Sequence, residues 1–139
     1  MNSLEDERIT GTAGELLVQL RLFQYDVQAA PPLKDSGNDL IAIRGEDFQA
    51  VQVKTTGQDT GRWKIPDGKD YHLLALVRLE GEGDHYYLDE SGVHLIDREK
   101  AESESFSIRG NLSEYKISRD VVDSFFPSSG SSAPPAVEA

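Results

Sequence analysis

The sequence predicts a mixed α/β domain, in which a helix over residues 11–25 packs on a central sheet of about five to seven strands. Three observations predict this fold class. An amphipathic stretch with helical spacing comes first, two strand-like runs separated by a short reversal follow it, and a predicted buried strand at residues 71–79 has a continuous apolar run at 73–77. A helix followed by several strands is typical of a sheet whose faces are covered by helices.

The helix is the first predicted element. Thr12 and Glu15 have the spacing of a capping box, which predicts an N-cap at Thr12. Leu17 lies beside an apolar stripe whose members recur at i, i+4 and i+7: Leu16, Leu20 and Phe23. We expect this stripe to face the core and the helix to end near Tyr25.

The first strands follow the helix directly. A short strand is predicted at residues 27–30, where two prolines stop it, and a turn is predicted at residues 34–37. Residues 39–44 are apolar on both faces and predict a strand in the centre of the sheet. A reversal at residues 45–47 joins that strand to its partner at residues 48–55.

Side chains alternate along the partner strand. Val51 and Val53 therefore point to one face, while Gln52 and Lys54 point to the other. The second face carries an amide and a lysine, about 7 Å apart along the strand.

The rest of the chain predicts a continuation of the sheet and then a tail. Residues 1–126 are predicted to form one domain, and the Ser/Pro-rich residues 127–139 are predicted to form a disordered tail. Four further elements are predicted: a buried strand at 71–79, a hairpin of 85–88 with 93–96, a final strand at 115–117 and a closing helix at 119–126.

The composition is acidic and lacks cysteine. The formal net charge is −11 and the sequence pI is near 4.6, which favours solubility and argues against loose affinity for nucleic acid or anionic lipid. Residues 54–69 depart from this pattern, because four bases stand there against two acids, a local charge of +2. The acidic N-terminus, the missing cysteines and the absence of a long apolar run predict a cytoplasmic protein without a membrane span.

Four polar residues carry the candidate chemistry: Glu15, Asp39, Gln52 and Lys54. A helix supplies one acid, the start of a strand supplies another, and the next strand supplies an amide and a lysine. Carboxylate and amide oxygens are ligands for Mg²⁺, and Mn²⁺ accepts similar donors. Oxygen ligands beside a lysine are what metal-assisted hydrolysis of a phosphodiester requires.

These positions resemble the motif of the PD-(D/E)XK nuclease superfamily, to which many restriction enzymes and Holliday-junction resolvases belong. In that family a helix supplies an acid, the opening of a strand supplies an aspartate, and the next strand supplies (D/E/Q)-x-K. The matching positions here are Glu15, Asp39 and the run Gln52-Val53-Lys54, so this chain resembles the QxK variant. The resemblance covers about residues 11–56, and Asn38 stands where a proline commonly precedes the aspartate.

The resemblance implies a restriction-endonuclease-like core and a divalent-metal-dependent endonuclease that acts on DNA. It implies that Asp39 and Gln52 hold Mg²⁺ or Mn²⁺, that the Val53 carbonyl and Glu15 add oxygen donors, and that Lys54 assists catalysis. Many nucleases of this family act as dimers, which implies a homodimer or a partner subunit.

A second group of residues suits contacts with nucleic acid. Arg62, Trp63 and Lys64 combine two cations with an aromatic ring, and Thr55 lies next to Lys54. The run at 62–64 is equally compatible with a tryptophan that anchors a loop.

Each candidate also has a structural interpretation. Glu15 can be a capping-box acid, Asp39 a turn residue, and Gln52 and Lys54 part of a solvated sheet face. The alternative function is a catalytically inactive module of the same fold that binds nucleic acid or a protein partner, which Gln52 and the net acidity favour. A third interpretation is an acidic protein that mimics DNA and binds a basic partner.

Overall fold

The structure is a computed structural model that describes residues 3–33, 39–57, 70–82, 85–103 and 112–127, with side chains from residue 10 onward. The predicted turn at 34–37 and the predicted tail beyond residue 127 lie outside these residues. The described elements are α1 (Ser3–Phe23), β1 (Gln28–Ala30), β2 (Leu40–Arg44), β3 (Asp47–Thr56), β4 (Leu73–Arg78), β5 (Gly81–Glu82), β6 (His85–Tyr86), β7 (Gly92–Asp97), α2 (Arg98–Ala101), a 3₁₀ turn (Leu112–Tyr115) and α3 (Arg119–Phe125).

A five-stranded mixed sheet organises the fold, with strand order β1-β2-β3-β4-β7. β3 and β4 run parallel, and the other neighbours run antiparallel. β2 and β3 form a hairpin around Gly45, whose φ of 61° suits a residue without a Cβ. The mixed sheet flanked by helices confirms the predicted fold class.

The main core lies between the sheet and two helices. α1 and α3 cover one face, where Leu17, Val18 and Val122 pack with Val51 and other buried residues of the sheet. A smaller cluster on the second face joins Tyr71, Leu74, Leu76 and Ile96 to Ala101 of α2. None of the described helices is long and apolar enough to cross a membrane.

The start of α1 differs from the prediction. The helix begins at Ser3, so Thr12 is a helix-interior residue and the N-cap prediction is wrong. Glycine usually disfavours a helix interior by about 1 kcal/mol, which is why the sequence around Gly11 and Gly14 resembles a helix start. The structure gives Gly14 a packing role, because a Cβ there would lie 2.9 Å from the Cβ of Thr55 on β3.

The buried face of α1 also differs from the prediction. Leu16, Leu20 and Phe23 are 54%, 57% and 66% exposed, so the predicted stripe faces solvent. The residues that enter the core are Leu17, Val18 and Leu22. Two apolar sets with helical spacing lie on this helix, and spacing alone does not tell which of them meets the sheet.

Two strand predictions are corrected by the pairing. β2 is the second strand from the sheet edge rather than a central strand, and its Ile43 is 46% exposed. The predicted hairpin of 85–88 with 93–96 is wrong, because β6 pairs with β5 whereas β7 pairs with β4. The apolar side chains of β7 are buried beside β4, while both residues of β6 remain exposed.

A buried arginine ties the C-terminal helix to the sheet. The Arg44 guanidinium is 6% exposed, forms an ion pair with Asp123 at 2.8 Å and donates a hydrogen bond to the Phe126 carbonyl. Ser118 caps α3 by accepting a hydrogen bond from the Val121 N–H at 3.2 Å. The predicted closing helix is therefore confirmed, ending at Phe125.

Candidate active site

Asp39 stands immediately before β2 and is bonded to β3 twice. Its backbone N–H donates to the Val51 carbonyl at 3.1 Å, and its carboxylate oxygen Oδ2 accepts from the Val53 N–H at 2.8 Å. The carboxylate thus takes the place of a backbone acceptor just beyond the end of the β2–β3 ladder. The two hydrogen bonds go to the residues on either side of Gln52. Asp39 is therefore held beside Gln52 by its pairing with β3 and is not only a turn residue.

Glu15, which α1 contributes, lies close enough to Asp39 for their charges to interact. Gly14 allows the helix to lie close to Thr55, and Glu15 is the next residue along the helix. Partial burial raises the pKa of the Glu15 carboxyl above its usual range, and the negative charge of Asp39 raises it further. Because α1 begins at Ser3, Glu15 is not a capping-box acid, and the structural interpretation of this residue is removed.

Gln52 carries a buried polar atom. The residue is 7% exposed and lies opposite Leu74 of β4. Its amide oxygen Oε1 has no hydrogen-bond partner among the described residues. A buried acceptor without a partner is uncommon, since it carries an uncompensated cost of desolvation.

Lys54 shares the face of Gln52 by strand alternation and is half-buried opposite Leu76. Val53 points to the other face, where it joins the main core. The N–H and C=O of one strand residue point to the same strand edge, so the Val53 carbonyl points to the side from which Asp39 bonds its N–H.

Of the four residues predicted to contact nucleic acid, the structure describes only Thr55. Thr55 is half-buried, and its side chain packs against Gly14 on the α1 side of the sheet, away from the face of Lys54. Arg62, Trp63 and Lys64 lie outside the described residues. A contact between any of these four residues and nucleic acid stays a prediction.

The oxygen donors around Asp39 suit a hard cation better than a cluster of charged ligands would predict from their number alone, because one of them is an unpartnered amide oxygen. In the part of the chain that the structure describes, no three His, Cys, Asp or Glu side chains form a group that could hold a metal ion. The donors present are two carboxylates whose charges interact, on Glu15 and Asp39, and the unpartnered amide oxygen of Gln52. Oxygen donors with one or two carboxylates fit Mg²⁺, which retains several waters.

Two features of the site were not found from the sequence. The Val53 N–H fixes the Asp39 carboxylate, and Gly14 sets the distance of α1 from β3. Gly14 left a signal, since it interrupts a helical stretch directly before an acid. The role of Val53 left none, because a backbone donor is independent of residue type.

Comparison with known proteins adds one likeness. No protein-family model and no curated protein matches the chain. Among solved structures, the bacterial homing endonuclease I-Ssp6803I is similar, with a TM-score of 0.52 and 12% sequence identity over 78% of this chain and 87% of that one. At this identity the likeness concerns the fold.

The sheet and this likeness define the fold class. The chain has a mixed α/β fold, with a five-stranded central sheet flanked by helices, and this fold is similar to that of the homing endonuclease. Within that fold, two acids, an amide and a lysine are contributed by α1, the start of β2 and β3.

Proposed function

We propose that this chain is a divalent-metal-dependent endonuclease of the PD-(D/E)XK type that hydrolyses phosphodiester bonds in DNA. One observation carries the proposal: Asp39 is bonded on both sides of Gln52, whose buried amide oxygen has no described partner. A buried oxygen without a partner, on the residue between the two that Asp39 bonds, suits a hard cation. The likeness to a homing endonuclease supports the same class of activity.

The residues that would hold Mg²⁺ or Mn²⁺ are Asp39 and Gln52, with the Val53 carbonyl and Glu15 as further oxygen donors. When bound, such a cation acidifies a water molecule and stabilises negative charge on the phosphate. Gln52 contributes no negative charge, so we expect weaker cation binding than at a site with a third carboxylate. Phosphate oxygens of the substrate would supply further ligands.

Lys54 would act on the phosphate from the same face as Gln52. Its ammonium group donates hydrogen bonds and carries a positive charge, so it can orient the attacking water or neutralise charge that develops on the phosphate. Partial burial limits the directions that the side chain can take. A second copy of the chain in a homodimer would supply a second site for the other DNA strand.

Glu15 would tune the charge of the site. Burial raises the pKa of the Glu15 carboxyl, and repulsion from the ionised carboxyl of Asp39 raises it further. A cation between the two groups would remove that repulsion. The Glu15 carboxylate therefore favours a positive charge at the site, which either a metal cation or a proton can supply. A lower pH would favour protonation of Glu15.

The test is a cleavage assay on a panel of supercoiled plasmid, linear duplex, single strand, branched junction and RNA, with Mg²⁺ or Mn²⁺. Asp39→Asn retains an oxygen that can accept the Val53 N–H, so it removes charge while preserving the local geometry. Lys54→Ala removes the ammonium group. We expect both variants to lose cleavage and to unfold at nearly the wild-type temperature.

The matched control is Asp89→Asn, which makes the same substitution at an exposed acid before β7. It is expected to cleave like the wild type. Cleavage by the wild type and by Asp89→Asn alone would support the proposal. Equal cleavage by purified wild type and Asp39→Asn would overturn the mechanism, because the activity would then not depend on the proposed ligand.

The second candidate function is a catalytically inactive module of the same fold that binds nucleic acid or a protein. The neutral Gln52 and the net charge of −11 favour it. Such a module should bind its partner equally well with chelator and with Mg²⁺. If Mg²⁺ tightens binding of the partner and Asp39→Asn abolishes that tightening, the result would argue against the inactive module.

A further inference from the structure

Helix α1 carries a second apolar stripe on the side that faces away from the sheet. Leu16, Leu20 and Phe23 recur at i, i+4 and i+7, and each is more than half exposed. Leu20 stands two residues from Val18 and two from Leu22, which both enter the core, so it lies about 200° around the helix axis from either of them. A helix that is apolar on opposite sides is normally covered on both sides.

The stripe continues into a groove at the edge of the sheet. Leu20 and Phe23 line this groove, which has a volume of about 510 Å³, together with Ile43 of β2 and the edge strand β1. Pro32 also lines the groove, and Leu33, the next residue, is fully exposed. We call this surface the apolar patch, and its large members are Leu16, Leu20, Phe23, Leu33 and Ile43.

The apolar patch is neutral although the chain is acidic. Charged residues make up 28% of the sequence, yet none of the described residues that line the groove is charged. Within residues 10–24 the charged residues are Glu15 and Arg21. Arg21 donates a hydrogen bond to the Leu88 carbonyl at 2.9 Å, and Glu15 interacts with Asp39, so both are engaged away from the stripe.

This neutrality selects among possible occupants. A site for nucleic acid would require basic residues, and a site for a basic protein would require acidic ones. Two copies of a chain with a net charge of −11 repel each other over most of their surface, and the apolar patch is a surface where they can meet without that repulsion.

The size of the apolar patch fits an interface between two copies. A large side chain that is half exposed leaves on the order of 100 Å² in water, so the five large members expose roughly 500 Å² together. A standard interface buries about 800 Å² per partner, of which about 57%, or roughly 450 Å², is apolar. The patch therefore supplies the apolar area that one side of such an interface needs.

We propose that the apolar patch is the interface of a homodimer, in which the α1 helices of two copies pack antiparallel about a two-fold axis close to Leu20. This packing places Leu16 of one protomer opposite Phe23 of its partner, and Leu20 opposite its own equivalent. A two-fold axis requires a self-complementary surface of this kind. The i, i+4 spacing of Leu16 and Leu20 is also that of the ridges by which helices pack.

This interface deepens the proposed function, because it names the partner of the candidate active site, and it rests on that function only for the use of two sites. Glu15 adjoins Leu16 on α1, so the interface and the candidate active site are neighbours. A dimer of this form would hold two sites close to one axis, one for each strand of a duplex. Pairing itself requires neither metal nor DNA, so it can be tested apart from cleavage.

The first test is cross-linking through an introduced thiol, because the natural chain has no cysteine. Leu20→Cys would place two thiols across the two-fold axis, within reach of a disulfide. Leu88→Cys is the matched control at an exposed leucine outside the apolar patch. In oxidised glutathione we expect most of the Leu20→Cys protein to run as a dimer on non-reducing electrophoresis, and most of the Leu88→Cys protein to run as a monomer.

The second test measures assembly without a cross-link, by light scattering over a range of protein concentrations. The wild type should reach twice the chain mass of 15.4 kDa. Leu20→Glu brings two like charges together at the axis, so it should raise the dissociation constant by more than about tenfold. Leu88→Glu should behave like the wild type, and circular dichroism should show that both variants are folded, since both positions are exposed.

Two outcomes would overturn the dimer. A wild type that stays monomeric would assign the apolar patch to another occupant, and equal cross-linking of the two cysteine variants would place the contact elsewhere. Failure of the proposed function gives a different result. A dimer that depends on Leu20 but cleaves no DNA in Mg²⁺ supports the interface and overturns the hydrolase, whereas cleavage by a monomeric wild type overturns the interface alone.

Discussion

The carboxylate of Asp39 accepts a hydrogen bond from the backbone N–H of Val53 at 2.8 Å. This contact continues the pairing of β2 and β3 by a side chain where the backbone ladder stops. It means that the acid of the candidate site also satisfies a donor of the central strand. Substitutions at Asp39 can therefore separate a structural role from a chemical one.

Asp39→Ala should destabilise the fold, whereas Asp39→Asn should not. Alanine leaves the partly buried Val53 N–H without an acceptor, which costs about 1–3 kcal/mol, while asparagine retains an oxygen in the same position. Urea unfolding of both variants in EDTA measures the difference. Equal stability of the two variants would show that the hydrogen bond contributes little.

Gln52→Glu should lower the stability of the metal-free protein and raise its affinity for a cation. A third carboxylate near Asp39 and Glu15 adds repulsion at a 7% exposed position, so the melting temperature in EDTA should fall. Mg²⁺ should then raise the melting temperature of this variant more than that of the wild type, since ligand binding stabilises the folded state. A melting temperature that does not respond to Mg²⁺ in either protein would count against a cation at Gln52.

Glu15→Gln should stabilise the metal-free protein at neutral pH. The pKa of Glu15 is raised in the folded state, so ionisation costs stability as the pH rises above its unfolded value near 4.5. The penalty is complete above the raised folded value and absent below the unfolded one. Denaturation in EDTA should therefore show a more stable variant at pH 7 and no difference below pH 4.5. A difference that persists at the acidic end would assign the effect to packing.

Gly14→Ala should destabilise the protein although alanine favours helices. The added Cβ would overlap the Thr55 side chain, and overpacking costs about 1–3 kcal/mol against a helix-propensity gain of about 1 kcal/mol. Gly11→Ala is the matched control in the same helix, because nothing lies within 4 Å of a Cβ there, and it should be stabilising.

The same pair of variants also reports on the site. A shift of α1 away from β3 would move Glu15 with it. Gly14→Ala should therefore lower the cleavage rate even at temperatures at which the variant is still folded. Thr55→Ala in the Gly14→Ala background should restore both stability and cleavage, because it makes room for the methyl group. A double variant no better than Gly14→Ala would place the strain elsewhere.

Local patterns predicted the β2–β3 hairpin and the face shared by Gln52 and Lys54, because strand alternation depends only on position along the chain. Pairing between distant strands was harder to predict. The apolar run of β7 was assigned to a hairpin with its nearest neighbour in sequence, yet it is buried against β4. The apolar stripe of Leu16 and Leu20 was assigned to the core for a similar reason, since periodicity identifies a face without naming its partner.

The site shows the same division. The residue types at Glu15, Asp39, Gln52 and Lys54 were visible in the sequence, and the order of elements suggested that they gather. The hydrogen bond from the Val53 N–H to the Asp39 carboxylate was not visible there, because its donor is a backbone group and is independent of residue type.

The Arg44 contact determines where this polypeptide can be shortened. A chain that stops before Phe126 loses the carbonyl acceptor of a buried guanidinium and a core side chain that is fully buried. The guanidinium keeps its ion pair with Asp123, but loss of a fully buried phenylalanine side chain costs about 3–5 kcal/mol, a large part of the stability of a domain this size. Phe126 is therefore the last residue that a minimal folding unit has to retain, and tags or fusions belong after it.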